Sequence, residues 1–293
     1  MIVSASYRTD IPALYGGWFL NRIAAGHARV ASPYGGPPYR VSLRAGDVDG
    51  FVLWTRNIGP LAGRLAAVAA VAPFAVQFTV TGYPRVLEPA VIETGAAVAQ
   101  IRGLASVWGR RAVVWRYDPI LDTALTGPAW HRSTFATLAA ALDGAVDEVV
   151  VSSAQIYAKT RRNLDAAARR HGFSWRDPDD AEKRALIGDL AGIAGMHGMR
   201  LTVCTQPDLV AAGAEAARCI DAARLSDIAG RTITARTRGN RPGCLCHESR
   251  DIGAYESCPQ GCVYCYAVSS RAAAKRFLAA HDAGGEALGP DFG

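Results

Sequence analysis

The stretch AVVWRYDPILDTALTGPAWHRSTFATLAAALDGAVDEVVVSS, residues 112–153, decides the fold. It opens on an apolar run, Ala112–Tyr117, and closes on another, Glu148–Ser153. Between them Ser133–Leu142 carries an amphipathic helical pattern. Short, nearly continuous apolar runs suit strands buried on both faces, and a helix joining two of them is the crossover of a parallel pair.

The same alternation extends in both directions. It predicts strands at Ile2–Ser6, Gly50–Thr55, Ala75–Thr81 and Arg200–Thr205, and helices at Ile11–Ala25, Leu61–Ala70, Val91–Trp108, Thr160–His171, Asp180–His197 and Leu209–Arg218. Asp10 is placed to cap the first helix, with Pro12 tolerated in its first turn. Six strand–helix units imply an α/β fold with a parallel sheet, a partial or closed (β/α)6-type barrel over residues 1–230. No Gly-rich dinucleotide fingerprint opens the first helix, which argues against a nucleotide-binding doubly wound sheet. Val30–Leu43, with Pro33, Gly35, Gly36, Pro37 and Pro38, reads as turns. Residues 231–293 read as a C-terminal appendage: a polar strap, RTITARTRGNRPG over 231–243, then a cysteine-rich segment, then a tail expected to be disordered from Gly284.

Composition bounds the function. With 293 residues, 50% of them hydrophobic and 20% charged, the chain can bury a sizeable core and is not globally disordered. The uncharged stretch Leu65–Gly82 contains Pro73 and Gln77 and does not read as a membrane span. The start of the chain lacks a signal-peptide pattern, so a cytoplasmic location without membrane association is expected. The net charge of +6 comes almost wholly from arginine, the lysines being Lys159, Lys183 and Lys275. Lys159–Arg162 and Arg169–Arg170 read either as a phosphate-facing patch or as a solvated helix face.

Each expected strand ends in polar residues: Ser6, Arg8 and Asp10; Thr55, Arg56 and Asn57; Gln77, Thr79 and Thr81; Arg116 and Asp118; Ser152, Ser153 and Gln155; Cys204, Thr205 and Gln206. Active sites of β/α folds gather at these C-terminal strand ends, although polar loops also supply helix caps. Seven cysteines, an odd number, argue against a disulfide framework, and five of them fall between Cys244 and Cys265. Cys258, Cys262 and Cys265 have the spacing C-x3-C-x2-C, suited to a [4Fe–4S] cluster with one iron open to an outside ligand. A structural zinc site completed by Cys246 or His247 is the alternative. The other four, Cys204, Cys219, Cys244 and Cys246, match the ligand count of a second, auxiliary cluster; Cys204 and Cys219 alternatively read as small buried hydrophobes.

The C-x3-C-x2-C motif, with Tyr264 before its last cysteine, resembles the cluster motif of the radical S-adenosylmethionine (SAM) superfamily. The string Cys262-Val-Tyr-Cys-Tyr266 is also similar to the motif of spore photoproduct lyase. Across residues 1 to about 268 the chain resembles a bacterial family, domain of unknown function 1848. The matching strings are Arg8–Ala13, Trp54–Asn57, Gln77–Tyr83, Trp115–Ile120, Cys219–Asp221 and Asp251–Tyr255.

The resemblance implies a radical SAM-type enzyme that cleaves SAM and abstracts hydrogen from an unidentified small-molecule or peptide substrate. An electron donor such as flavodoxin or ferredoxin would serve it. In that reading Tyr264 packs near the adenine, and Arg8 and Arg116 bind a carboxylate or phosphate. Asp10 and Asp118 orient those arginines or take protons, while Gln77, Thr79, Ser153 and Gln155 hydrogen-bond ribose or methionine. Two other readings stand beside it. One is an electron-transfer or zinc protein with Cys246, Cys258, Cys262 and Cys265 as ligands; the other is a repair lyase acting on nucleic acid. One departure from the superfamily is plain: its cysteine loop typically follows the first strand, where this chain has Tyr7–Arg8–Thr9–Asp10, and here the cysteines follow the sixth unit.

Overall fold

The structure is a computed structural model and describes residues 1–32 and 35–289. Pro33 of the turn-rich stretch and the last four residues of the tail lie outside the described residues. Eight strands form one parallel sheet: β1 (Ile2–Ala5), β2 (Gly50–Thr55), β3 (Phe74–Thr79), β4 (Val113–Ile120), β5 (Glu148–Ser153), β6 (Arg200–Val203), β7 (Ala214–Ala216) and β8 (Ser249–Asp251). Their order is β7–β6–β5–β4–β3–β2–β1–β8. The six strands expected from the apolar runs are therefore neighbours in chain order, each crossover stepping one place in the same direction, as short right-handed connections favour. Among the described residues no pairing joins β7 to β8, so the eight strands form one ladder with two edges.

The period-two alternation along each strand sorts its side chains into two cores. On one face Val3, Phe51, Leu53, Val76, Phe78, Trp115, Val149 and Val151 pack against helical residues such as Trp18, Phe19, Leu61, Ile101, Phe135 and Leu190. On the other, Ile2, Val52, Ala75, Val114 and Val150 pack against Ala217, Cys219, Ile220, Leu225, Ile233 and Cys246. The chain that leaves β7 thus turns back and covers the second face. Leu225 sits so close that a β-carbon on Gly50 would lie 2.7 Å from its Cδ1.

Several local expectations are corrected. Leu209–Arg218 is not a helix: a single 3-10 turn, Pro207–Leu209, is followed by β7. Pairing with β6 overrides the helical propensity of the alanines, and Gly213, at φ +80°, turns the chain between them. The last helix of this region is Ala222–Ala229, capped by the Asp221 carboxylate on the Ala223 amide at 3.0 Å. The Ile11–Ala25 helix divides at Tyr15, and Leu61–Ala70 becomes Gly59–Ala62 and Leu65–Ala69. A hairpin pairs His27–Val30 with Tyr39–Ser42 across the turn-rich stretch. The tail is packed as far as Gly289: Trp18 donates to the Gly285 carbonyl at 3.0 Å, the Arg29 amide to Glu286 at 2.9 Å, and Ala287 and Leu288 are buried. Among the described residues no helix is long and apolar enough to cross a membrane.

One buried histidine gives the fold a pH signature. His131 is 1% exposed, with its Nδ1 accepting from the Tyr117 hydroxyl at 2.8 Å and its Nε2 donating to the Leu121 carbonyl at 3.1 Å. Burial lowers its pKa to about 4. The unfolded chain then binds a proton at higher pH than the folded one, so this contribution is complete above pH ~6.5 and is lost as pH falls toward 4. The full span is roughly 3 kcal/mol. Urea titrations across that window are expected to show a steeper loss for the wild type than for His131→Gln; parallel pH profiles would refute it.

Candidate metal centre at the strand ends

The C-terminal segment is bound to the sheet through Asp251, the last residue of β8. Its Oδ2 accepts from Ser4 Oγ at 2.8 Å and the Tyr7 amide at 3.1 Å. Its Oδ1 accepts from Ser6 Oγ at 2.6 Å, Arg8 Nε at 2.9 Å and the Gly253 amide at 2.9 Å. Arg8 also donates to the Asp251 carbonyl at 3.1 Å and is 4% exposed. Gly253 permits this closeness, because a β-carbon there would lie 2.1 Å from Ser6 Oγ. Arg8 is thereby occupied in joining β8 to β1, and its partner is Asp251 rather than the expected Asp10.

Asp10 serves the neighbouring loops. It accepts from Thr55 Oγ1 at 2.6 Å, the Arg56 amide at 2.8 Å, Gln260 Nε2 at 2.8 Å and the Ala13 amide at 3.1 Å. Burial nevertheless raises its pKa, outweighing these bonds. The contact with Gln260 lies inside the cysteine motif and ties that loop to the end of β1. On the other side Tyr264 donates to Glu88, and Arg56 bridges the two, with Nη1 on Glu88 Oε1 at 2.8 Å and Nη2 on the Tyr264 hydroxyl. Thr81 completes the group with a 2.8 Å bond to Glu88. Tyr264 is thus held by protein groups and packs edge-on against Tyr83 at 5.9 Å.

Between these anchors Cys258, Cys262 and Cys265 come together, half-buried and free of disulfides. Burial is the main influence on all three and raises each thiol pKa, that of Cys258 to about 12. Amides oppose it: Asp10 and Gln260 donate to Cys258, and Ala267 and Val268 to Cys265. Arg56 favours the charged form of Cys262. Gly261, at φ +82°, makes the tight turn between the first two cysteines.

The remaining four cysteines form a second group on the face covered by the strap. Cys219 Sγ lies 3.6 Å from Cys204 Sγ, and Cys246 adjoins both Cys219 and Cys244. Arg116 reaches Cys219 Sγ with Nη1 at 3.1 Å, while its Nη2 donates to Asp118 and its guanidinium lies 5.0 Å from the Trp54 ring centre. Asp118 also accepts from Ser152. Gln77 accepts from Arg116 at 3.1 Å and donates to the Cys219 carbonyl at 2.9 Å, so it belongs to this group. Contact with Cys246 lowers the Cys244 pKa to about 6, whereas Cys204, Cys219 and Cys246 are raised.

The other expected hydrogen-bonding residues disperse. Thr79 lines a cavity of about 250 Å³ with Arg56, Thr81, Tyr83, Arg85 and Glu88. Ser153 pairs through its backbone with the Gln206 side chain and lines a different, small cavity beside His131. Gln155 accepts from Arg241 at 3.0 Å, against the strap. Sequence reasoning missed Asp251 and Glu88 as the anchors of the cysteine segment. A carboxylate partner for buried Arg8 and Arg56 was needed, but nothing in the local pattern says which acid comes from far along the chain.

Among the described residues no group of three or more His, Cys, Asp and Glu side chains is placed so that it could hold a metal ion. The donor set of the first group nonetheless suits an iron–sulfur cluster. Three half-buried thiols lie within electrostatic reach of one another, amide N–H groups point at two of the sulfurs, and the buried Thr9 Oγ1 and Gln260 Oε1 have no hydrogen-bond partner. Thiols raised by burial lose their protons when a metal supplies the compensating charge.

The family described as "Domain of unknown function (DUF1848)" matches residues 2–267, and the chain belongs to it. No curated protein and no solved structure matches the chain.

Proposed function

We propose that this member of the domain of unknown function 1848 family is a radical SAM-type enzyme built on a half-open β/α barrel. Its [4Fe–4S] cluster would be held by Cys258, Cys262 and Cys265. The observation that carries the reading is the convergence of these three thiols, with amides directed at Cys258 and Cys265, at the C-terminal ends of parallel strands. When bound, such a cluster supplies the electron that cleaves SAM to methionine and a 5′-deoxyadenosyl radical, which takes hydrogen from the substrate.

The chain's own part is support and enclosure. Arg8 with Asp251, and Arg56 with Glu88 and Tyr264, fix the two ends of the cysteine loop. Arg56 and Lys159 bring positive charge toward the sulfurs. The cavity lined by Thr79, Thr81, Arg56 and Glu88 is small and polar and fits part of a small molecule. A flavodoxin- or ferredoxin-type donor and a reducing cytoplasm suit this chemistry.

The four-thiolate alternative that recruits Cys246 is less favoured, because Cys246 is engaged with Cys219 and Cys244 and accepts from the Ile220 amide at 3.4 Å. Anaerobic reconstitution followed by magnetic resonance of the reduced protein, with and without SAM, tests the proposal. A SAM-dependent change in the cluster signal and formation of 5′-deoxyadenosine are expected. Full iron loading with neither would overturn the enzyme reading.

A further inference from the structure

We propose that Cys204, Cys219, Cys244 and Cys246 form a mononuclear tetrathiolate site for a zinc ion, distinct from the three-cysteine group and not an auxiliary iron–sulfur cubane. The contact pattern carries the argument. Cys219 Sγ lies 3.6 Å from Cys204 Sγ, Cys246 neighbours Cys219 in turn, and Cys244 neighbours Cys246. A tetrahedral zinc ion with thiolates at ~2.3 Å places sulfurs ~3.8 Å apart. A cubane hangs each thiolate on a different iron, so an iron–iron edge is added to every sulfur–sulfur distance and its thiolates cannot touch. No three of these side chains are already placed to hold an ion among the described residues, so binding requires the four thiols to draw in around a shared centre.

Charge and position agree. A divalent ion with four thiolates has a net charge of −2, and two arginines meet it: Arg116 on Cys219 at 3.1 Å, and Arg241 from the strap on Cys204. Amides of Ile220, Asn240 and Cys246 supply the N–H groups that such sulfurs accept. An all-sulfur tetrahedral shell with no position left for water is the composition of a structural zinc site. Its ligands come from three segments: the end of β6, the entry to the Ala222–Ala229 helix, and the residues that directly follow the strap. The strap itself has little regular structure, only an isolated bridge between Thr237 and His247. Gly239 lies against Cys244 so tightly that a β-carbon would be 2.2 Å from the Cys244 carbonyl oxygen. The ion would hold this segment over the second face of the sheet, a task for which the strap has few apolar residues.

This inference does not depend on the radical SAM reading, and the two fail separately. The test is metal content by mass spectrometry, with a sulfide assay, on the full chain. Wild type and a Cys258→Ser/Cys262→Ser/Cys265→Ser variant are both expected to carry about one zinc per chain. Cys219→Ser/Cys246→Ser is expected to lose it while the three-cysteine group still takes up iron. Should that variant fail to fold, wild type grown on cobalt provides the second measurement, with the visible bands of a tetrahedral cobalt tetrathiolate expected. Sulfide-bearing iron that persists in the three-serine variant would overturn the proposal. So would a Cys204–Cys219 disulfide in freshly isolated protein, four freely alkylated thiols without metal, or zinc lost with Cys258, Cys262 and Cys265.

Discussion

Asp251→Ala is expected to destabilise the protein by about 3–5 kcal/mol, the range for removing one partner of a buried ion pair. The variant leaves the Arg8 guanidinium 4% exposed without its carboxylate, and strands the hydroxyls of Ser4 and Ser6 and the amides of Tyr7 and Gly253. Against a total stability of ~5–15 kcal/mol this is a large share. The pair is asymmetric, and the asymmetry sharpens the test. Arg8→Met leaves Asp251 with four other donors, so it is expected to cost less than Asp251→Ala. Urea unfolding of both variants measures the difference, and equal losses would show that the Ser4, Ser6 and amide bonds contribute little. Iron uptake gives a second readout. Asp251 is where the chain leaves the sheet for the cysteine loop, so Asp251→Ala is expected to take up less iron than Arg8→Met even where both remain folded.

The same residue shows where sequence reading succeeds and where it stops. β1 to β6 were legible because each is a short apolar run, and strands buried on both faces leave that mark whatever their partners. β7 and β8 were not. Ala214–Ala216 and Ser249–Asp251 are three residues each, with no apolar run, and they are strands only because β6 and β1 offer open edges. The Ala222–Ala229 helix did carry signals, the Asp221 cap and Gly230 at φ +63°, but the alanines just before it drew the expected helix too early.

The candidate site divides in the same way. Cysteine spacing, a local property, identified the loop and the count of four left over. The partners of Arg8, Arg56 and Tyr264 are set by long-range packing, which spacing does not encode: Arg8 meets an acid 243 positions away, and Tyr264 one 176 positions away. Tyr264 and Arg8 were expected to face a ligand, and both are engaged by carboxylates of the chain itself. Arg116 and Asp118 were expected as partners, and they are paired.

Cys262→Ala is expected to abolish cluster retention and, with it, any conversion of SAM to 5′-deoxyadenosine. Cys262 is the middle ligand of the three, and two thiolates alone hold a cubane poorly. The loss should come with little unfolding. The removed sulfur is a single atom of a half-buried thiol, and its neighbours Val263 and Tyr264 keep their own anchors: the Val263 amide on the Leu87 carbonyl at 3.0 Å, and Tyr264 on Arg56 and Glu88. Tyr264→Phe makes the informative contrast. It keeps the ring against Tyr83 but removes the hydroxyl between Arg56 and Glu88, at a cost of ~1–3 kcal/mol for buried polar groups left short of a partner. That variant is expected to lose stability and keep its iron, while Cys262→Ala keeps stability and loses its iron. Thermal unfolding of the metal-free proteins, set beside iron and sulfide counts after anaerobic reconstitution, separates the two effects. A Cys262→Ala protein that holds as much iron and sulfide as the wild type would remove the three-thiolate cluster as the basis of the site, and the radical reading with it.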